Sequence, residues 1–221
     1  MRKYFLAFLL LLLVAASIFV LSNYDLHSLT AKSGRTVWRE DSTNYYLLRQ
    51  KSREAQTFCT AKNFNSTFCF LVNMSKHSGK MRFYIWDLKT NAAIDSGLVS
   101  HGCGDGWWGR VNDAMNPTFS NEDGSHCSSL GKYKVGKRDY SQWGIHVKYF
   151  LYGLDSTNSN SLAREIVLHS WDEVKEEEVY PAGTPEGWGC PAVSNEFMTR
   201  LDAKLKSSPK PVLLWMFRSN S

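Results

Sequence analysis

The sequence predicts a mainly β domain with small helical additions, carried behind one N-terminal apolar helix. Three observations predict it. Short apolar runs rich in β-branched and aromatic residues recur between turn signals. Beyond the N-terminus, only two stretches show helical spacing. The 221 residues, about 200 of them past the apolar segment, suffice for one substantial core, without internal repeat or low-complexity tract.

The elements follow in order. Arg2 and Lys3 precede an uncharged run over 4–21, dominated by Leu, Val, Ala, Ile and Phe. As a helix this run spans about 27 Å, close to the hydrocarbon thickness of a bilayer. Residues 1–22 therefore read as a membrane anchor, or as a signal peptide for which Val20-Leu21-Ser22 could be the exit. Either way the rest of the chain is exported. No cysteine stands near residue 20 to accept a lipid. Residues 23–56 read as a polar tether and helical lead-in, with Ser33-Gly34 and Asp41-Ser42-Thr43 in its first part. Helix-compatible spacing then runs over 44–62, placing Leu47, Leu48, Ala55 and Phe58 on one face.

Strands dominate what remains. Phe68-Cys69-Phe70-Leu71-Val72 and Met81-Arg82-Phe83-Tyr84-Ile85-Trp86 flank a Ser78-Gly79-Lys80 turn. Further strands are expected over 93–100, 131–136, 145–152, 164–169 and 212–217. A short helix over 196–206 brings Phe197, Leu201 and Leu205 to one face. Between 171 and 187 lies a long connection with Pro181, Gly183, Pro185 and Gly187, the kind of loop that often binds or covers a ligand. Its Glu176-Glu177-Glu178 triplet reads as a solvated face.

Composition excludes some functions. Apolar content of 43% and charged content of 21% are those of a globular protein. The net charge is +5, of which Arg2 and Lys3 supply two units outside the domain. The remainder is too small and too evenly interspersed with acids to indicate nucleic acid, though it suits a polyanionic envelope surface. No Ser-His-Asp arrangement, phosphate loop or dinucleotide motif is present.

Chemistry concentrates near the C-terminal end. Cys190 sits in Gly187-Trp188-Gly189-Cys190-Pro191-Ala192-Val193, 21 positions after the histidine that ends Ile166-Val167-Leu168-His169. A cysteine at a glycine-proline turn, with an imidazole at the end of an upstream strand, suits a thiol nucleophile and its base. Both residues stand where strands stop, so their side chains can converge at the mouth of a sheet.

The surrounding motifs add a resemblance. Ile166-Val167-Leu168-His169-Ser170 and Gly187-Trp188-Gly189-Cys190-Pro191-Ala192-Val193-Ser194 resemble the murein L,D-transpeptidase (YkuD-like) catalytic domain, in its Trp-Gly-Cys-Pro branch. Upstream, the likeness continues through Met74-Ser75, Ser78-Gly79-Lys80, Leu98-Val99-Ser100-His101-Gly102, Phe119-Ser120-Asn121 and Ser128-Ser129-Leu130-Gly131, covering 57–217. The 17 residues between His169 and Gly187 fit the long end of the family spacing. Trp188 departs from the pattern, since most members carry a second histidine there, and Pro191-Ala192 replaces the usual pair after the cysteine.

The resemblance implies a β-sandwich or barrel-like fold over 57–217 and a cysteine acyl transferase acting on peptidoglycan stem tetrapeptides. Cys190 would form the thioester and His169 would be the base, oriented by the backbone carbonyl of Ser170. Pro191 lacks an N–H, so the oxyanion donors would be the N–H groups of Cys190 and Gly189. Ser128, Ser129 and Gly131 match a segment bordering the substrate. Trp188, Trp171 and Tyr180 would be substrate walls. No cofactor or metal is implied. The expected place is the bacterial cell envelope, anchored on the periplasmic side of the inner membrane or secreted to the periplasm, with membrane contact through the N-terminal helix.

Three other readings stay open: the same thioester delivered to water (an L,D-carboxypeptidase), a non-catalytic wall-binding module, and a zinc enzyme using His101, Cys103, His126 and Cys127. Ser100-His101-Gly102-Cys103 spells the family signature literally, but the expected base position, 82–85, reads Arg82-Phe83-Tyr84-Ile85 and holds no histidine. An exported domain permits disulfides, and four cysteines besides Cys190 allow three pairings. The resemblance favours Cys103–Cys127, because the family places their loops together beside the active site; the bridge would add about 3 kcal/mol.

Overall fold

A computed structural model describes residues 42–219. The expected helix over 1–22 and most of the tether lie outside the described residues. No described helix is long and apolar enough to cross a membrane.

Helix α1 (Ser42–Ala61) leads into strands β1 (Phe68–Asn73), β2 (Phe83–Asp87), β3 (Ala92–Gly97), β4 (Gly131–Tyr140) and β5 (Val147–Gly153). After a 3-10 turn (Ser156–Asn158) come β6 (Val167–Ser170), β7 (Ala192–Val193), helix α2 (Asn195–Lys206) and β8 (Val212–Phe217). All eight strands form one sheet in the order β3-β2-β1-β8-β4-β5-β6-β7. Among the described residues the fold is mainly β with two α-helices, as expected. Each expected strand has its counterpart. β7 went unforeseen because two residues are too few to show a period.

The densest apolar runs lie in the middle of the sheet. β1 and β8 pair in parallel, Phe70 opposite Leu214, and both are buried along their whole length. Strand alternation sends Phe68, Phe70 and Val72 to a core closed by Phe197, Met198 and Leu201 of α2. It sends Cys69 and Leu71 to a second layer closed by Leu48, Ala55 and Cys59 of α1. With both faces covered, these strands have no polar alternation to show. The boundary expected at residue 57 falls inside α1, and the compact unit starts at Ser42. Leu48 is fully buried, so its truncation to Ala would cost ~2–5 kcal/mol.

Towards the other edge only one face is covered. In β5, Val147, Tyr149 and Leu151 are buried while Lys148 and Phe150 are half-buried on the opposite face. β6 continues the pattern, Leu168 and Ser170 inward, Val167 and His169 outward. The register sets Lys148 opposite His169 and Phe150 opposite Val167, and parallel β7 sets Ala192 opposite His169. The outward face of β5, β6 and β7 is the floor of the site.

The long loop after β6 is tied down more firmly than a solvated acidic face would be. Glu176 accepts from Arg200 Nη2 at 2.7 Å and from the hydroxyl of Ser194. Glu178 accepts the Met81 N–H at 2.9 Å and pairs with Lys80 at 3.3 Å. Glu177 and Glu178 are exposed, as expected of a solvated face, while Glu176 is half-buried by its contacts to Ser194 and Arg200.

Candidate active site

Cys190 and His169 line the same open cavity, of about 890 Å³. His169 reaches it from the floor because strand alternation turns every second residue of β6 outward. Cys190 reaches it from the loop just before β7. The Cys190 Sγ accepts the Val167 N–H at 3.4 Å and points its own hydrogen to the Glu165 carbonyl at 3.6 Å.

The His169 ring is oriented by its neighbour: Nδ1 lies 2.9 Å from the Ser170 carbonyl oxygen. A carbonyl only accepts, so Nδ1 carries the hydrogen and Nε2 keeps its lone pair. Burial pushes the imidazole below its ordinary value, against the pull of the Ser170 carbonyl, and Lys148 lowers it further. Burial pushes the Cys190 thiol up, opposed by the Val167 N–H and by Arg164. Both directions favour an uncharged resting pair, thiol and neutral imidazole, instead of a preformed ion pair.

The loop carrying Cys190 is held from three sides. Ser100 N–H donates to the Ala192 carbonyl at 2.8 Å, and Ala192 N–H returns a bond to Ser100 Oγ at 3.2 Å. Gly187 N–H donates to the His101 carbonyl and Cys103 N–H to the Gly187 carbonyl, both at 2.8 Å. Ser128 Oγ donates to the Gly189 carbonyl at 2.9 Å while accepting Gly102 N–H at 3.0 Å. Gly189 has φ of 101°, and a Cβ there would meet the Cys127 carbonyl oxygen at 2.5 Å, so only glycine fits. No bond within the described residues is made by the N–H of Gly189 or of Cys190.

One residue before Gly187, Glu186 anchors the loop from below. It accepts the N–H groups of Asn112 and Asp113 and the Asn112 side-chain amide, each at 2.7 Å. It faces His101 Nε2 at 3.5 Å, and His101 Nδ1 meets Arg82 Nη2 at 2.8 Å. Burial alone would raise the Glu186 carboxyl, but hydrogen bonds from His101, Asn112 and Asp113 hold it at about 2. Burial lowers fully enclosed Arg82 to about 9.

The structure sorts the sequence-predicted residues. Cys190, His169, Trp171 and Trp188 share one cavity, and Ser170 supplies the orienting carbonyl. Ser128 and Ser129 do not line it. Ser128 is fully buried against loop backbone, and Ser129 Oγ accepts from Arg164 Nη1 at 2.7 Å. Gly131 opens β4 at φ of 134° beside Asn158, away from the cavity. Tyr180 is exposed and packs edge-on against His77, also outside the lining. Ser128, Ser129, Gly131 and Tyr180 thus lie outside the lining of this cavity.

Cys103 lies in a different cavity, lined also by Cys127, His101 and Glu186 but not by His169. The literal signature around Cys103 is instead hydrogen-bonded to the loop that leads to Cys190, through Gly187. Cys103 and Cys127 are free cysteines, so the expected bridge is not formed in this structure. Among the described residues no three of His, Cys, Asp and Glu converge on a metal position. Arg82 occupies the His101 ring and Trp188 stacks on His126.

Sequence reasoning missed Trp108, Trp143, Lys148, Arg164 and Glu165, which line the main cavity. Arg164 also donates to the Ser120 and Cys127 carbonyls at 2.9 and 2.6 Å, pinning the segment that packs behind Gly189. The available signals were the tryptophans set in glycine-bearing loops and the arginine just before β6.

A cavity that gathers a thiol, a neutral imidazole and two unbonded backbone N–H groups has the layout of an enzyme site. The chain belongs to the L,D-transpeptidase catalytic domain family, whose family model (YkuD_2) matches residues 39–214. Among solved structures, it is similar to the helical cell shape determining protein Pgp2 from Campylobacter jejuni, at 12% identity and a TM-score of 0.42. That match covers 70% of this chain and 49% of Pgp2, so the chain spans about half the length of that relative. It is also similar to the L,D-transpeptidase of Xylanimonas cellulosilytica, at 10% identity and a TM-score of 0.39, over 73% of this chain and 68% of the other. The comparison with curated proteins found no match.

Proposed function

We propose that the protein is a cysteine acyl transferase acting on peptidoglycan stem tetrapeptides, a murein L,D-transpeptidase working at the cell envelope. The observation that carries this reading is the shared cavity of Cys190 and His169, with the His169 Nε2 lone pair left available by the Nδ1–Ser170 bond. His169 takes the thiol proton as Sγ attacks the carbonyl at the L-centre of the diamino acid, forming the carbon–sulfur bond. The negative oxygen is met by the N–H groups of Cys190 and Gly189. Collapse breaks the carbon–nitrogen bond, and the proton held by His169 passes to the departing D-alanine amine. The thioester then goes to an acceptor amine, or to water, which would make the enzyme an L,D-carboxypeptidase.

Purified full-length protein incubated with disaccharide tetrapeptide should gain the mass of the acyl donor less D-alanine, located on Cys190. The acceptor then follows from the product, a cross-link or a trimmed stem. Release of D-alanine by Cys190→Ala would overturn the assignment. For the location, Edman sequencing of the native N-terminus separates a retained anchor over 4–21 from a cleaved signal.

A further inference from the structure

Four indoles border the main cavity: Trp108, Trp143, Trp171 and Trp188. Trp188 stacks on His126, with ring centroids 5.2 Å apart at 22°, and still exposes 62% of its surface. One face is therefore backed and the other open. Trp108 stacks on buried Trp171 at 5.2 Å and 29° and stays 46% exposed. The Trp108 and Trp188 rings meet edge towards face, 6.5 Å apart at 60°, so their exposed parts adjoin as one bent aromatic surface, a shallow trough.

Contiguous exposed aromatic surface beside a polar rim marks a ligand site. Rings already fixed by stacking lose little side-chain freedom when a ligand lies on them. A flat apolar face edged with polar groups suits a pyranose ring, whose C–H face packs on an indole while its hydroxyl and acetamido groups need partners at the margin. Gln142 and Glu165 line the cavity at that margin. A cation would also favour an indole face. The same lining, however, carries Lys148 and Arg164 against the single carboxylate of Glu165, and this surplus of positive charge disfavours an ammonium.

We propose that Trp188 and Trp108 form a saccharide subsite holding a ring of the glycan strand from which the stem peptide hangs. The identity of the glycan rests on the acyl-transfer reading above; the trough itself does not. The site then reads its donor at two points, the peptide carbonyl at Cys190 and a sugar ring on the tryptophans.

The test uses full-length Cys190→Ala protein, which cannot turn over, titrated with chitotetraose as a peptide-free probe while tryptophan fluorescence is followed. Saturable change is expected. Adding Trp188→Ala should weaken the dissociation constant about tenfold, the order of effect one lost aromatic face produces, and Trp188→Phe should restore most of the affinity. Trp108→Ala is the second variant, and thermal melts identify any variant that has failed to fold. No saturation up to about 10 mM probe, or an unchanged constant in both alanine variants, would overturn the subsite. So would a sugar-free tetrapeptide that displaces chitotetraose from the trough and binds more tightly. Because the probe carries no peptide and the protein no nucleophile, failure here leaves acyl transfer standing, and failure of acyl transfer leaves this result readable.

Discussion

The Ser128 hydroxyl donates to the Gly189 carbonyl at 2.9 Å, from a side chain with no exposure to solvent. In a trans peptide the carbonyl and the following N–H point in opposite directions. Fixing the Gly189 oxygen against Ser128 therefore fixes the Cys190 N–H on the other side, where the proposed oxyanion would form. Ser128→Ala should slow thioester formation by about 10²-fold, the loss associated with one misplaced oxyanion donor. It also strands the buried Gly102 N–H, at a cost of ~1–3 kcal/mol. The Cys190 thiol titration, followed by alkylation rate against pH, should not move; a parallel shift there would make Ser128 a purely structural residue.

The neutral imidazole sets the pH profile. Burial holds His169 below its ordinary value of about 6.5, so the base is unprotonated at neutral pH and stays so some way into the acid range. The acidic limb of the rate of thioester formation should have its midpoint below about 6.5. His169→Ala should remove that limb and cost ~10²–10⁴ in rate. A limb left in place in the variant would assign the titration to another group.

Cys103 is expected to be dispensable for acyl transfer. It lines a cavity without His169, and burial pushes its thiol up. Cys103→Ser should acylate close to the wild-type rate, and intact-mass analysis after carbapenem treatment should find the adduct on Cys190 in both. An adduct that disappears from folded Cys103→Ser would move the nucleophile.

Acid stability follows from two carboxylates. Glu186 is held at about 2 by its hydrogen bonds despite burial, and Asp202 is held at about 2 by Arg138, Lys206 and Tyr149, again against burial. In the unfolded chain these groups bind protons at about 4, so their stabilisation is complete above that range and is lost as pH falls towards about 2. Melting temperature should fall steeply across that window. Glu186→Gln or Asp202→Asn should flatten the slope; an unchanged slope in both variants would place the acid transition elsewhere.

Much of this was legible in the sequence because strand period and turn residues are local. The runs that became β1 and β8 are apolar throughout, and Ile166-Val167-Leu168-His169 already placed an imidazole at a strand end. What stayed hidden depends on contacts across the sheet. Ser128 reads as an ordinary turn residue until Gly189 is folded onto it from 61 positions away. Glu176 looks solvated until Arg200 and Ser194 arrive. Trp108 and Trp143 lie in separate loops, and only the tertiary arrangement brings their rings within 5.9 Å.

The position of β8 constrains the order of assembly. It is the last of the described strands, yet it lies between β1 and β4 and joins the hairpin side of the sheet to the side bearing His169. Until residues 212–217 emerge during synthesis, β1 has no parallel partner and β4 lacks one neighbour, however long the earlier strands have been available. Long-range pairings of this kind form late and slowly. The sheet thus stays incomplete until β8 is available, and the loop that carries Cys190 gains its full support only then.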